Sequence, residues 1–275
     1  MKKFIICLTH DVDKVKKTYQ YFSKDLKNFK FKNISSILKK KNDEPYYCFD
    51  KIIDLEDKYN VRSTFFFLQE SLRFNIFSKN NWEKSLGKYK FSDNNIKSII
   101  KILDNNGWEI GLHGSYNSYK DVELLKFEKH ALESILGRNI KGIRQHYLNL
   151  DIPKTWVYQK EAGFVYDSSL GLKNEVGFPK KIYKPYVDSI SGIKIIPITI
   201  MDGYLFNLYN NYDEMWSSCI KIIDEAERNE AVLNILWHQR VFHNADFPFY
   251  VNLYKKIIEE CKNRNAHFVK CEDLI

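Results

Sequence analysis

Short apolar runs, rich in β-branched and aromatic side chains, recur along the chain. They alternate with longer stretches whose apolar residues return every three or four positions. The runs predict strands over residues 3–8, 63–68, 109–112, 142–145, 164–167, 193–198, 232–237 and 267–270. The stretches predict helices over 46–59, 94–105, 121–136, 153–162, 213–229 and 248–263. Gly107 and Gly163 stand between a predicted helix and the next strand, where a helix C-terminus favours glycine. Strand and helix in alternation predict a parallel sheet with crossover helices, closed into a barrel or doubly wound. No internal repeat or low-complexity linker interrupts the pattern, so 1–275 reads as one domain. A lysine-rich insertion at about 14–44 follows the first strand.

Composition changes this picture in three places. The chain has 275 residues, 44% of them hydrophobic, which suffices for one large core. Nothing approaches a 20-residue apolar span, which argues against a membrane-spanning helix. Met1-Lys2-Lys3 and the apolar run after it look superficially like a signal peptide. That run is short, however, and flows into Asp11 and Asp13 without a small-residue cleavage site, so a cytoplasmic protein is expected. The five cysteines are scattered and never spaced C-x-x-C, which argues against disulfides and a thiolate zinc site.

Net charge is +8, and from Lys14 to Lys41 ten lysines face a single acid, Asp25. That segment alone accounts for the excess. It reads either as a solvated insertion or as an electrostatic funnel toward an anionic, phosphate-bearing substrate or an acidic membrane surface. It contains no arginine, the usual reader of bases, so no nucleic-acid partner is expected. Peripheral membrane contact stays open, and nothing specifies an oligomeric state.

In parallel α/β folds the carboxyl ends of strands carry function. There this chain places its unusual residues: His10, Asp11 and Asp13 after the first run, His113 and then Asn117, Arg144 with His146, Asp167, and Trp237-His238. Four of the seven histidines stand at predicted strand ends. Carboxylates and imidazoles there cost several kcal/mol to desolvate unless paired, protonated or metal-bound. No phosphate-cradling glycine loop or G-x-S-x-G elbow competes with this set. Aspartate and histidine around an open position bind a zinc-like ion that polarises a carbonyl and acidifies water. A second carboxylate then serves as base, and a separate histidine protonates a leaving nitrogen. Arg144 is suited to pair with the basic carboxylate, and Asp167 to orient His238 as imidazolium. The chemistry is that of a hydrolytic amidase. The bland alternatives make Asp11 and Asp13 turn formers, His113 a core histidine and Asp167 a helix cap. Trp82, Trp108, Trp156 and Trp216 read as packing residues.

Taken in order, these motifs resemble those of the polysaccharide deacetylases, the NodB-homology or carbohydrate esterase family 4 superfamily. Thr9-His10-Asp11-Val12-Asp13 is similar to the first motif, Thr-Phe-Asp-Asp, whose leading aspartate is the base and whose next aspartate binds metal. His113-Gly114-Ser115-Tyr116-Asn117 is similar to His-Ser/Thr-x-x-His, and Arg144-Gln145-His146-Tyr147 to Arg-x-Pro-Tyr, whose arginine positions the base. Asp167-Ser168-Ser169 and Leu236-Trp237-His238 resemble the fourth and fifth, the last supplying the general acid.

The resemblance implies a distorted (β/α) barrel of about seven parallel strands. It also implies a divalent metal ion, with zinc expected, and removal of an acetyl or formyl group from an amino-sugar or glycan substrate in surface-glycan biosynthesis. Asp11 is then expected as base, Asp13 and His113 as metal ligands, His238 as general acid, Arg144 and Asp167 as their supports, and Tyr147 or Trp237 as the sugar-stacking aromatic. Asn117 stands where the family has its second metal histidine, and a neutral amide is a poor zinc ligand. His146 is the expected replacement and His10 the less favoured one, leaving Asn117 to contact substrate. A relative that has lost catalysis and binds glycan or protein is the alternative.

Overall fold

The computed structural model describes residues 4–17 and 44–275, so 18–43 of the lysine-rich insertion lies outside the described residues. The strands are β1 (Ile5–Val12), β2 (Thr64–Leu68), β3 (Glu109–Gly114), β4 (Gly142–Gln145), β5 (Tyr166–Asp167), β6 (Tyr186–Val187), β7 (Lys194–Ile195), β8 (Ile200–Met201), β9 (Val232–Leu236) and β10 (His267–Val269). They form one ten-stranded sheet in the order β6-β7-β5-β4-β3-β2-β1-β9-β8, with β10 beside β1. Among the described residues only β6 and β7 pair antiparallel. The helices are α1 (Phe49–Tyr59), α2 (Lys79–Ser85), α3 (Asn94–Asn105), α4 (Val122–Leu136), α5 (Lys154–Glu161), α6 (Asp202–Leu208), α7 (Tyr212–Arg228) and α8 (Tyr250–Asn263). The result is a mostly parallel, curled α/β half-barrel, as expected. β6, β8, α2 and α6 were not predicted, being too short to show a period.

β1 is the axis of the sheet. Along one edge it pairs with β9 from Ile5 to Thr9; along the other it meets β10 over Ile5–Cys7 and then β2 over Thr9–Val12. The strand therefore runs past Leu8, where its apolar run ends, and carries Thr9-His10-Asp11-Val12 as paired backbone. Alternation along it decides what each polar residue does. His10 faces the outer helices, where its Nδ1 meets Trp237 O at 2.6 Å and its Nε2 meets Glu56 Oε1 at 2.9 Å. Trp108 Nε1 and Tyr254 Oη donate to the same buried carboxylate. His10 is thus a core histidine, and the option of a metal role for it is corrected.

Thr9 and Asp11 face the barrel interior, above a narrow packed column of Cys7, Phe66, Tyr166, Ile196, Val232 and Cys271. Glycine opens space for its rings: a Cβ on Gly142 would lie 2.0 Å from Tyr166 Cζ, and one on Gly111 2.7 Å from the Phe66 ring. The Tyr166 hydroxyl donates to buried Glu109, whose other oxygen accepts from Thr64 and Glu272 N. Burial pushes the Glu109 carboxyl up to about 7 despite these donors. Among the described residues no helix is long and apolar enough to cross a membrane. Gly142→Ala is expected to cost about 1–3 kcal/mol of stability, since the Tyr166 ring must move off a filled column. A lowered urea midpoint at unchanged m-value would register the loss.

Candidate metal and hydrolytic site

Sheet register brings the polar strand ends together. His113 of β3 pairs with Leu68 of β2 and with Arg144 of β4, and the chain beyond β1 places Asp13 at the same rim. Arg144 is fully buried, its guanidinium 4.4 Å from the Phe66 ring. Its Nη1 donates to Asp11 Oδ1 at 2.9 Å and Thr9 Oγ1 at 2.8 Å; its Nε and Nη2 donate to Ser168 O and Oγ at 2.7 and 2.8 Å. Burial opposes the charge of Asp11, but His113 and Arg144 outweigh it and hold the carboxyl below its ordinary value.

Asp13, His113 and His146 each offer a ligand atom, and these atoms lie within 4.8 Å of one another. The hydrogen bonds of the two rings fix their tautomers. His113 Nδ1 lies 2.9 Å from Arg144 O, which can only accept, so that nitrogen carries the proton. His146 Nδ1 lies 3.2 Å from Glu70 Oε2. Burial and nearby Lys88 push the His146 imidazole down to about 3, so the ring is neutral and donates through Nδ1. Glu70 itself is buried, yet His146 and Leu72 N hold its carboxyl below the ordinary value. With Nδ1 turned to these acceptors, His113 and His146 both present Nε2 toward the rim.

The two Nε2 atoms face a carboxylate. His113 Nε2 is 3.2 Å and His146 Nε2 3.9 Å from Asp13 Oδ1. That oxygen is buried and accepts no hydrogen bond. Ring nitrogens and a carboxylate oxygen drawn this close suit a cation standing between them. Two imidazole nitrogens and one carboxylate oxygen, with a position open to a cavity, suit a zinc-type ion, so the residues fit the metal that the fold implies. Asp13 Oδ2 instead contacts the Arg240 guanidinium, with His238 Nε2 at 3.7 Å. Burial opposes the Asp13 charge, but Arg240 and the histidines hold its carboxyl well below the usual range.

His238 follows β9. Its Nδ1 lies 2.7 Å from Asp202 Oδ1, and its backbone N donates to Asp202 Oδ2 at 2.8 Å. Burial disfavours the imidazolium, but Asp202 outweighs it and moves the pKa up. The pairing predicted with Asp167 is therefore corrected. Asp167 is fully buried on another wall, where Trp156, Gln159 and Ser169 occupy its oxygens. It fixes Ser169, and Ser168 beside it holds Arg144. Trp237 is likewise buried, packed among Phe206, Tyr250 and Tyr254, and offers no stacking face. Asn117 precedes the 3₁₀ turn Ser118–Lys120 and is not among the cavity-lining residues. Tyr147 does line the cavity, 46% exposed.

The cavity has a volume of about 390 Å³, and Asp11, Asp13, His113, His146 and His238 line one wall. Met201, Tyr204, Asn207, Leu148, Phe247, Lys14 and Arg240 also line it. Sequence reasoning missed Glu70, Asp202 and Arg240. Glu70 and Asp202 end apolar runs, so the strand-end rule applied to acids as well as histidines would have found both. Arg240 lies two residues past His238 in a turn and left no signal.

No family model matches the sequence, and no curated protein matches it. Solved structures do. A Mycobacterium smegmatis protein assigned as a polysaccharide deacetylase superposes with a TM-score of 0.63 at 14% identity, over 99% of this chain and 88% of that one. The Puue allantoinase gives 0.63 at 14%, over 98% and 88%. BA3943 of Bacillus anthracis, a CE4-family pseudoenzyme, gives 0.54 at 9%, over 99% and 66%. The chain has the NodB-like fold shared by polysaccharide deacetylases.

Because Glu70 fixes the His146 tautomer from behind, Glu70→Gln is expected to weaken Zn²⁺ affinity by about 10–100-fold. Competition with a chromogenic chelator measures this, with far-UV circular dichroism unchanged.

Proposed function

We propose that the protein is a metal-dependent amide hydrolase of the polysaccharide deacetylase superfamily. It removes an acetyl or formyl group from an amino-sugar-containing substrate used in surface-glycan biosynthesis. One observation carries the reading: Asp13 Oδ1, buried without a donor, faces two imidazole Nε2 atoms at the mouth of a cavity. Asp13, His113 and His146 would hold the ion, for which zinc is the best match to the donor set. A divalent ion there polarises the amide carbonyl and acidifies water.

The chain's own residues do the rest. Asp11 stays ionised into acid pH and accepts the proton of the attacking water, while Arg144 holds its other oxygen. His238, kept protonated by Asp202, delivers a proton from Nε2 to the leaving nitrogen. Tyr147, which lines the cavity, would stack on the sugar.

Asp11→Asn, His113→Ala and His238→Ala are each expected to lower turnover of N-acylated amino sugars by about 100-fold or more. Turnover like that of the wild type in all three would remove the chemistry. The fold also hosts a pseudoenzyme, and metal content separates the readings. Near one equivalent of zinc supports the hydrolase; less than about a tenth of an equivalent favours a binding module.

The His238–Asp202 pair sets the pH dependence. A raised imidazole pKa means the acid form is present at low pH and lost as pH rises through that value, so it governs the alkaline limb of kcat/KM. Asp202→Asn removes the charge that raises it, and the alkaline limb is expected to move to lower pH. A pH–rate profile of the two proteins checks this.

A further inference from the structure

Beyond β2 the chain leaves the barrel in a loop, residues 71–78, before α2. This loop holds three large apolar side chains in water, Phe77 at 96% exposure, Ile76 at 62% and Phe74 at 51%, and Trp82 of α2 adds a fourth at 36%. Isolated exposed apolar residues are ordinary, but a contiguous group marks a contact surface. Trp82 therefore departs from the packing role expected of it. These side chains are held outward by polar bonds. Trp82 Nε1 donates to Ile76 O at 3.1 Å, Asn81 Nδ2 to Arg73 O at 3.0 Å, and Asn75 N to Asn81 Oδ1 at 2.7 Å. Phe77 N is taken by Asn75 Oδ1 and α2 is capped by Ser78, so the apolar tip is displayed by a built turn.

Two further observations say what it faces. Between residues 71 and 90 the sequence carries Arg73, Lys79, Lys84 and Lys90 against one acid, Glu83, besides Lys88, whose Nζ is buried toward His146 and is not part of this surface. Aromatic side chains flanked by basic residues suit the headgroup layer of an anionic membrane, where rings enter the interface and cations meet phosphate. The loop also stands beside the cavity mouth. Its first anchor, Glu70, holds His146, and Lys84 Nζ lies 3.8 Å from the Tyr116 ring and 5.7 Å from that of cavity-lining Tyr147.

We infer that residues 72–84 form an interfacial anchor that docks this face of the barrel on an anionic lipid surface. The cavity mouth then opens at the headgroup level. The docking stands independently of the proposed chemistry, since it is read by binding alone.

The test is co-sedimentation of the full chain with phosphatidylcholine vesicles, with and without a quarter phosphatidylglycerol. Wild type is compared with Phe74→Ser/Ile76→Ser/Phe77→Ser. The wild type is expected to bind the anionic vesicles about tenfold or more tightly than the neutral ones, and the triple variant to lose about tenfold on them. Phe77→Ser alone, almost wholly exposed and without packing to lose, should show a smaller loss in the same direction. Absence of wild-type binding overturns the inference. So does full binding by both variants, which would move the contact to the lysine-rich insertion. Self-association of the wild type that the triple variant abolishes, without vesicle binding, would instead make the tip a contact between copies.

Discussion

A guanidinium with no access to water organises the interior of this barrel. Arg144 is fully buried, and an unpaired charge there would cost far more than the few kcal/mol by which a domain is stable. Its charge must be answered by a carboxylate, and Asp11 is the one within reach. Its remaining donors must be met by oxygens, which fixes Thr9 on β1 and the Ser168 turn after β5. Asp167 and Ser169 lock that turn, and Phe66 supplies the surface on which the guanidinium lies. The motif around Asp167 thus works for the base and not for the acid. Removing any of these groups leaves the others buried and unmatched, which is why they hold as a unit.

Above this plane the carboxylates around the cavity are matched in the same way. Glu70 is matched by His146, Asp202 by His238 and Asp13 Oδ2 by Arg240. The remaining oxygen, Asp13 Oδ1, has no donor. The deficit lies where two imidazole Nε2 atoms converge, a set of groups that could hold a metal ion. Arg240 also keeps Asp13 from turning both oxygens to the same side. One oxygen of this carboxylate is thus held by a fixed cation, and the other faces the two histidines.

The barrel was legible because its strands are buried on both faces and read as apolar runs between amphipathic helices. Asp11, Asp13, His113, Arg144, His146 and His238 were legible because strand ends converge in such a fold, whatever the loops do. The partners were less so. His10 and Asp11 are neighbours in the chain, but a period of two sends one to the helices and the other to the site, and neither composition nor motif says which. Asp167 and Asp202 both follow apolar runs near an expected acid histidine; only the curl of the sheet decides that α6 starts beside β9. Trp237 precedes His238 and by the same alternation falls in the core. Short elements such as α2 and β8 leave no period to read.

Fold alone would not have decided the chemistry, because this barrel serves proteins of different activity and one described as a pseudoenzyme. In this chain the site itself carries the argument. A histidine whose Nδ1 donates to a carbonyl or a carboxylate leaves Nε2 as the nitrogen available to a ligand. In His113 and His146 both arrangements occur, and both Nε2 atoms converge on the carboxylate oxygen that lacks a donor. A core that needed these rings only for packing would leave each Nε2 a donor to accept from. The absence of any such donor at Asp13 Oδ1 turns a set of strand ends into a place for a metal ion.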